Sequence, residues 1–375
     1  MLDTFDGAKS HSINRRTKRH PVSTLSDGER RRTGVERVDF SLPHRRYNPL
    51  TGDWILVSPQ RTKRPWQGSI EAVALDVIPD YDPACYLCPG NTRASGQVNE
   101  NYTGTFVFTN DHPSLLPDPP PGTYKTGDLM VAQQERGTSR VVCYTPHHNR
   151  TMAQMNEQEI VDVIKTWEHE YETIGDSPNI SYVQIFENKG GLMGPSSPHP
   201  HSQIWANEHL PTIIQKEQTN QKQFLKNHNE PLLPAYLREE MKEDKRIVLE
   251  NQSFVCLVPF WATWPYETMI LPKEQRQSLS DLNRKDQRDL AGILLHITRR
   301  YDNLFNTPFP YSMGIHQKPT DKKPHGEWQF HMHFYPPLLR SATVKKHYVG
   351  YEMFAEGQRD ISPEAAAATL RGLHE

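Results

Sequence analysis

Residues Pro198-His199-Pro200-His201-Ser202-Gln203 carry the densest chemistry in this chain. Alternate side chains of an extended segment share a face, so His199, His201 and Gln203 line up in a row. Proline at 198 and 200 disfavours helix and biases the preceding residues toward extended geometry. An imidazole can attack phosphorus and leave again, whereas an amide only holds an oxygen. The row therefore suits phosphate handling, although a single short motif more commonly marks polar histidines in a proline-rich loop.

Cys85-Tyr86-Leu87-Cys88 is a second candidate, a metal or redox pair. The chain holds only four cysteines, which points to a reducing compartment, the cytoplasm. Cys143 and Cys256 lie in apolar strand-like runs and are expected in the core. Net charge is -2 over 375 residues and the pI is near 6.8, so bulk charge gives no push toward nucleic acid or membrane. Mean hydropathy is -0.75, and no apolar run is long enough for a membrane helix. The first residues lack a signal-type apolar segment, and Asp3 and Asp6 argue against a transit peptide.

Two segments that must position these residues follow one plan. In the first, the β-rich run Ser139 to Tyr144 leads to Pro146, and a helix starts near Asn156, whose spacing to Glu159 suits a capping box. Ile160, Ile164, Trp167 and Tyr171 form one helical stripe. A strand from Ser181 to Phe186, a Gly-rich loop from Lys189 to Gly194, and the His-Pro-His strand follow. In the second, the strand Glu267 to Leu271 leads to Pro272 and a helix from near Asn283, with Leu290, Leu294, Ile297 and Tyr301 as its stripe. Tyr311 to His316 and a strand ending His331-Met332-His333 complete it. Each unit ends in His-x-His, which reads as an internal duplication with His201 matched to His333. In the last strand Gln329, His331, His333 and Tyr335 point one way; Trp328, Phe330, Met332 and Phe334 point into a core. The predicted architecture is α+β: duplicated units, a mostly antiparallel sheet and helices packed on it. Residues 1–40 read as a disordered basic tail, 41–211 as the first unit and 212–375 as the second. Pro117 to Pro121 reads as a surface loop.

Several long blocks resemble class I galactose-1-phosphate uridylyltransferase, of the histidine-triad superfamily. They are Arg45 to Leu50, Lys63 to Gly68, Phe108 to Asp111, Phe186 to Gly190, His199 to Gln203, Tyr335 to Val344 and Val349 to Met353. The resemblance runs from about His44 to the C-terminus. It implies ping-pong transfer of UMP from UDP-glucose to galactose 1-phosphate through a uridylyl group on His201, with Gln203 donating to the phosphoryl oxygens. It further implies Arg61 and Arg64 near the phosphates, Asn110 and Asp111 at the ribose, and the Ala94 backbone near the base. Asn188, Gly194 and Ser196 would line the phosphate loop. Lys346, His347, Tyr351, Glu352 and Gln358 would grip the hexose across a homodimer interface.

The resemblance also implies two metal sites. Cys85, Cys88, His148 and His199 would hold zinc, since two thiolates and two imidazoles suit it; the neighbouring His147 is the ambiguity. Glu217, His316, His331 and His333 would hold iron or zinc in a structural role. His325 and the remaining histidines are expected at the surface. The loop departs from the family pattern: Pro195 stands for cysteine, Ser197 for asparagine and Ser202 for glycine. Pro195 should stiffen the loop, and Ser202 should add a side chain where backbone approaches phosphate. Two rival readings use the same residues. One is another histidine-triad phosphorylase, hydrolase or nucleotidyl transferase, which the block from Lys346 to Gln358 argues against. The other is a non-catalytic nucleotide-binding protein, which His201, Gln203 and both ligand sets argue against.

Overall fold

Nine antiparallel strands form the large sheet that carries His201, Gln203, Asn188, His316, His331 and His333. The structure, a computed structural model, describes residues 38–63 and 78–373; the basic tail up to residue 37 and Arg64 lie outside them. The strands are β1 (His44–Tyr47), β2 (Trp54–Val57), β3 (Phe106–Thr109), β4 (Thr123–Thr126), β5 (Met130–Gln133), β6 (Gly137–Cys143), β7 (Tyr182–Lys189) and β8 (His201–Asn207). They continue with β9 (Ile247–Glu250), β10 (Phe254–Leu257), β11 (Thr268–Pro272), β12 (Tyr311–His316) and β13 (His331–Tyr335). The large sheet runs β3-β6-β8-β7-β12-β13-β11-β10-β9. β4 and β5 form a hairpin, as do β14 (Leu338–Ser341) and β15 (Val344–Lys345). β1, β2 and β16 (Gly357–Arg359) make a small sheet in which β16 runs parallel to β2.

Both predicted helices form where their caps and stripes require. α1 (Glu157–Gly175) starts at Asn156, whose side chain accepts from the Glu159 backbone N–H at 3.0 Å while Glu159 accepts from the Asn156 N–H at 2.8 Å. Asn283 likewise caps the helix predicted for the second unit, α4 (Arg284–Leu304), which follows α2 (Thr212–His228) and α3 (Leu232–Glu243). The two predicted stripes are buried and join one core with the sheet residues Val183, Ile185, Ile204, Ile270, Met332 and Phe334. Each such side chain contributes about 1.5–3 kcal/mol on leaving water.

The central pair of strands carries the duplication. β7 and β12 lie side by side, and β8 and β13 flank them. The opposite face of the β9–β11 end is covered by a layer the sequence reading did not place. There Leu232, Leu233 and Leu237 of α3 pack on Val255, Leu257, Met269 and Leu271. In α2 only Ile214, Glu217 and Gln221 are buried, so it carries no apolar stripe to read. Two short helices, α5 (Tyr351–Phe354) and α6 (Pro363–Arg371), close the chain.

Candidate active site and metal centres

His201 opens β8 and is buried. Its Nδ1 lies 2.7 Å from the His199 carbonyl oxygen. A carbonyl can only accept, so Nδ1 carries the proton and Nε2 keeps its lone pair. Burial lowers the pKa of His201 below the ordinary 6.5, against a smaller opposing effect of that hydrogen bond. The ring is therefore neutral near pH 7 and its Nε2 is a nucleophile. Gln203, two residues on, accepts at Oε1 from the Trp205 indole N–H at 3.2 Å. Because indole only donates, the amide oxygen is fixed and the Gln203 NH2 is left to donate. His199 does not continue this row: it precedes the strand, and its ring turns to Cys88 and His148.

The same local bond recurs in the second unit, where His331 Nδ1 lies 2.8 Å from the Gln329 carbonyl. This corrects the sequence alignment of the repeats by two residues. His331 corresponds to His201, Gln329 to His199 and His333 to Gln203. Counting from the flanking prolines hid the match because the connecting loops differ in length.

Cys85, Cys88, His148 and His199 converge, with one ligand atom from each within 4.8 Å of the others. Cys88 Sγ lies 3.5 Å from Nδ1 of both His148 and His199. His199 Nε2 donates to the Thr145 carbonyl at 2.9 Å, which turns its Nδ1 toward the thiols. Burial pushes Cys88 up to about 11 and His199 down to about 4, so both are neutral unless a cation compensates the thiolate. All four residues are buried, and a two-thiol, two-imidazole set fits a tetrahedral divalent ion. His147 is excluded: it is partly exposed and pairs with Asp80 at 2.8 Å.

Glu217 on α2 meets His316, His331 and His333 in a second cluster. Both Glu217 oxygens lie 3.0 Å from His316 Nδ1, and Oε2 is 3.6 Å from His331 Nε2. Burial alone would raise the Glu217 pKa, but His316 and His331 outweigh it and hold the carboxyl well below the ordinary range. His331 Nε2 and both ring nitrogens of His333 are buried with no hydrogen-bond partner among the described residues. Buried polar atoms are normally satisfied, so three orphaned imidazole nitrogens facing a carboxylate fit a cation. His325, expected at the surface, is buried between Asp321 at 2.7 Å and Glu327 at 3.2 Å.

The remaining candidates fall into two groups. In the first, Ser196 Oγ meets Tyr86 OH at 2.5 Å, and Asn188 Oδ1 accepts from Ser312 Oγ at 2.6 Å. Gly194 takes a left-handed φ of 72° that closes the turn. Asp111 accepts from the Ser95 N–H at 3.2 Å, beside Ala94, and Asn110 Oδ1 accepts from the His112 N–H at 2.9 Å. Arg93, which no spacing signalled, stacks its buried guanidinium 4.2 Å over Phe108 and lies 3.7 Å from Asp111. The second group is separate: Arg61, Lys346, His347, Tyr351, Glu352 and Gln358 line one cavity of about 580 Å³ that His201 does not reach. Arg61 pairs there with Asp360 at 2.9 Å, and Lys346 with Glu352 at 2.9 Å.

Of the loop departures, Ser197 is buried, with Oγ accepting from the His199 N–H at 3.3 Å and lying 3.6 Å from Cys85 Sγ. Ser202 does not project toward the phosphate side as expected. Strand alternation sends it to the helix-covered face, where Oγ accepts from the Trp167 indole N–H at 2.9 Å.

Two family models cover the chain: galactose-1-phosphate uridyl transferase, N-terminal domain, over residues 33–211, and its C-terminal domain over 217–375. The chain belongs to the galactose-1-phosphate uridylyltransferase family. It is 48% identical over 333 residues to the galactose-1-phosphate uridylyltransferase of Haemophilus influenzae, covering 89% of this chain and 95% of that one. It is 46% identical over 358 residues to the enzyme of Schizosaccharomyces pombe, covering 90% and 96%. A solved uridylyltransferase structure superposes with TM-score 0.69 at 28% identity, over 88% of this chain and 97% of that one. An ADP-glucose phosphorylase from Arabidopsis thaliana shares the fold, with TM-score 0.69, 21% identity and coverage of 89% and 100%. Family membership makes this chain a nucleotidyltransferase. No helix among the described residues is long and apolar enough to cross a membrane.

Proposed function

We propose that the chain moves UMP from UDP-glucose to galactose 1-phosphate in two displacements on His201. Nε2 attacks the α-phosphorus, the bond from phosphorus to the bridging oxygen breaks, and glucose 1-phosphate leaves with the electron pair. A phosphate oxygen of galactose 1-phosphate then attacks the same phosphorus, giving UDP-galactose and returning the lone pair to Nε2. The observation that carries this reading is the Nδ1–H bond from His201 to the His199 carbonyl. It fixes the reactive tautomer and shares the positive charge that the ring gains on becoming uridylylated. The oriented Gln203 amide donates to the phosphoryl oxygens as charge builds on them.

In this reading Cys85, Cys88, His148 and His199 hold zinc, and Glu217, His316, His331 and His333 hold iron or zinc. Both ions would act structurally, fixing the strands that carry or mirror His201. Residues 41–211 supply the nucleophile and 212–375 the hexose grip, with Asn110, Asp111 and the Ala94 backbone at the nucleoside, and Asn188, Gly194 and Ser196 at the phosphates. The separation of His201 from the 580 Å³ cavity supports a homodimer in which each chain completes its partner's site. Arg64, outside the described residues, would join Arg61 near the phosphates. The free, buried thiols of Cys143 and Cys256 suit the cytoplasm.

The test is an exchange assay. UDP-glucose alone should release one equivalent of glucose 1-phosphate in a burst, and adding galactose 1-phosphate should give UDP-galactose. Binding of UDP-glucose with no burst would overturn the covalent step.

A further inference from the structure

His201 sits at a weakly held end of its strand. β6 pairs along all of β8, with Cys143 opposite His201 and Val142 opposite Ser202. β7, on the other side, pairs only from Gln203 onward. Pro200, just before the nucleophile, has no N–H to add to the ladder. The first two residues of β8 are thus held by backbone bonds on one edge only. A nucleophile placed there needs another restraint if its Nε2 is to keep one position.

The Ser202 side chain supplies that restraint from behind the sheet. Ser202 and Trp167 are both fully buried, and the indole N–H of Trp167 on α1 donates to Ser202 Oγ at 2.9 Å. Tyr144 packs edge-on against Trp167 with ring centroids 5.8 Å apart, which holds the indole in place. Ser202 is not among the residues with left-handed backbone, so this position does not require the glycine of the family pattern. An indole N–H buried here has a strong requirement for an acceptor, so the bond ties α1 to the residue next to the nucleophile.

We propose that Ser202 is a positioning residue for uridylyl transfer, holding His201 Nε2 in line through its hydrogen bond to Trp167. This rests on His201 being the nucleophile. The experiment measures the single-turnover rate of glucose 1-phosphate release and the UDP-glucose Kd for wild type, Ser202→Ala, Trp167→Phe and the double variant. Ser202→Ala should slow the burst by about tenfold or more while Kd stays within about twofold, since misplacing a reacting group costs rate rather than binding. Trp167→Phe should slow it comparably, and the double variant should be little slower than either single one. An unchanged burst rate in Ser202→Ala overturns the proposal, whatever happens to its melting temperature. A slower burst matched by an equal loss of affinity overturns it too. Absence of a burst in wild type overturns the nucleophile assignment, which is thereby told apart from failure of the anchor alone.

Discussion

His201→Ala removes a strand-held imidazole whose Nδ1 is bonded and whose Nε2 keeps its lone pair. Turnover should fall to background while the circular dichroism spectrum and melting curve stay close to wild type; substantial residual transfer would reassign the nucleophile. The pH profile follows from the sign of the shift. Burial lowers the pKa of His201, so the free base predominates above a value that lies under 6.5. Single-turnover rate should rise with pH through that value and then level off. An acid limb centred above pH 6.5 would contradict the buried neutral ring. The pairing of His201 with Gln203 was legible from alternation alone. The tautomer was not, because it depends on a carbonyl that the chain's own turn at Pro200 brings to Nδ1.

Elements, not single residues, set the two candidate ligand clusters and the docking of the C-terminal helix. Cys85→Ser should lose about one equivalent of zinc by metal analysis and lower the melting temperature, because the loop Cys85 to Cys88 and the β6–β8 end share that cluster. Retention of full zinc would move the site elsewhere. At α6, Glu364 accepts from Arg46 at 2.8 and 3.0 Å and from Arg246 at 2.8 Å. Burial would raise its pKa, but the two guanidiniums outweigh that and hold it at about 2, against an ordinary 4.5. A depressed carboxylate stabilises above the ordinary value and loses that effect as pH falls toward the folded one. Glu364→Gln should therefore cost about 3 kcal/mol at pH 7 by chemical denaturation, and the gap to wild type should close between pH 4.5 and 2. A gap independent of pH would rule out the ionic origin. The stripes of α1 and α4 and their Asn caps could be read from spacing; α2 could not, since its buried face is Glu217 and Gln221 rather than apolar.

At the scale of the whole molecule, His201 and the cavity lined by Lys346, Glu352 and Gln358 lie apart in one chain, so under the proposed function activity should depend on pairing. Mixed His201→Ala and Lys346→Met chains, each inactive alone, should regain about a quarter of wild-type activity after subunit exchange, since half the dimers would hold one intact site. No recovery, despite exchange shown by mass, would place both contributions within one chain. Sequence by itself determined the α+β class, the duplication and the row of His201 and Gln203, because those depend on residue type and local periodicity; the ligand residues of both clusters came only through the family resemblance. It also pointed to the family through blocks spread over most of the chain. Tertiary structure decided the rest. It matched His331 rather than His333 to His201, sent Ser202 to the helix face, chose His148 over His147 and buried His325 between two carboxylates. Each of these turns on which atoms the fold brings together, and such contacts, whether across a turn or between distant segments, leave no periodic trace in the chain.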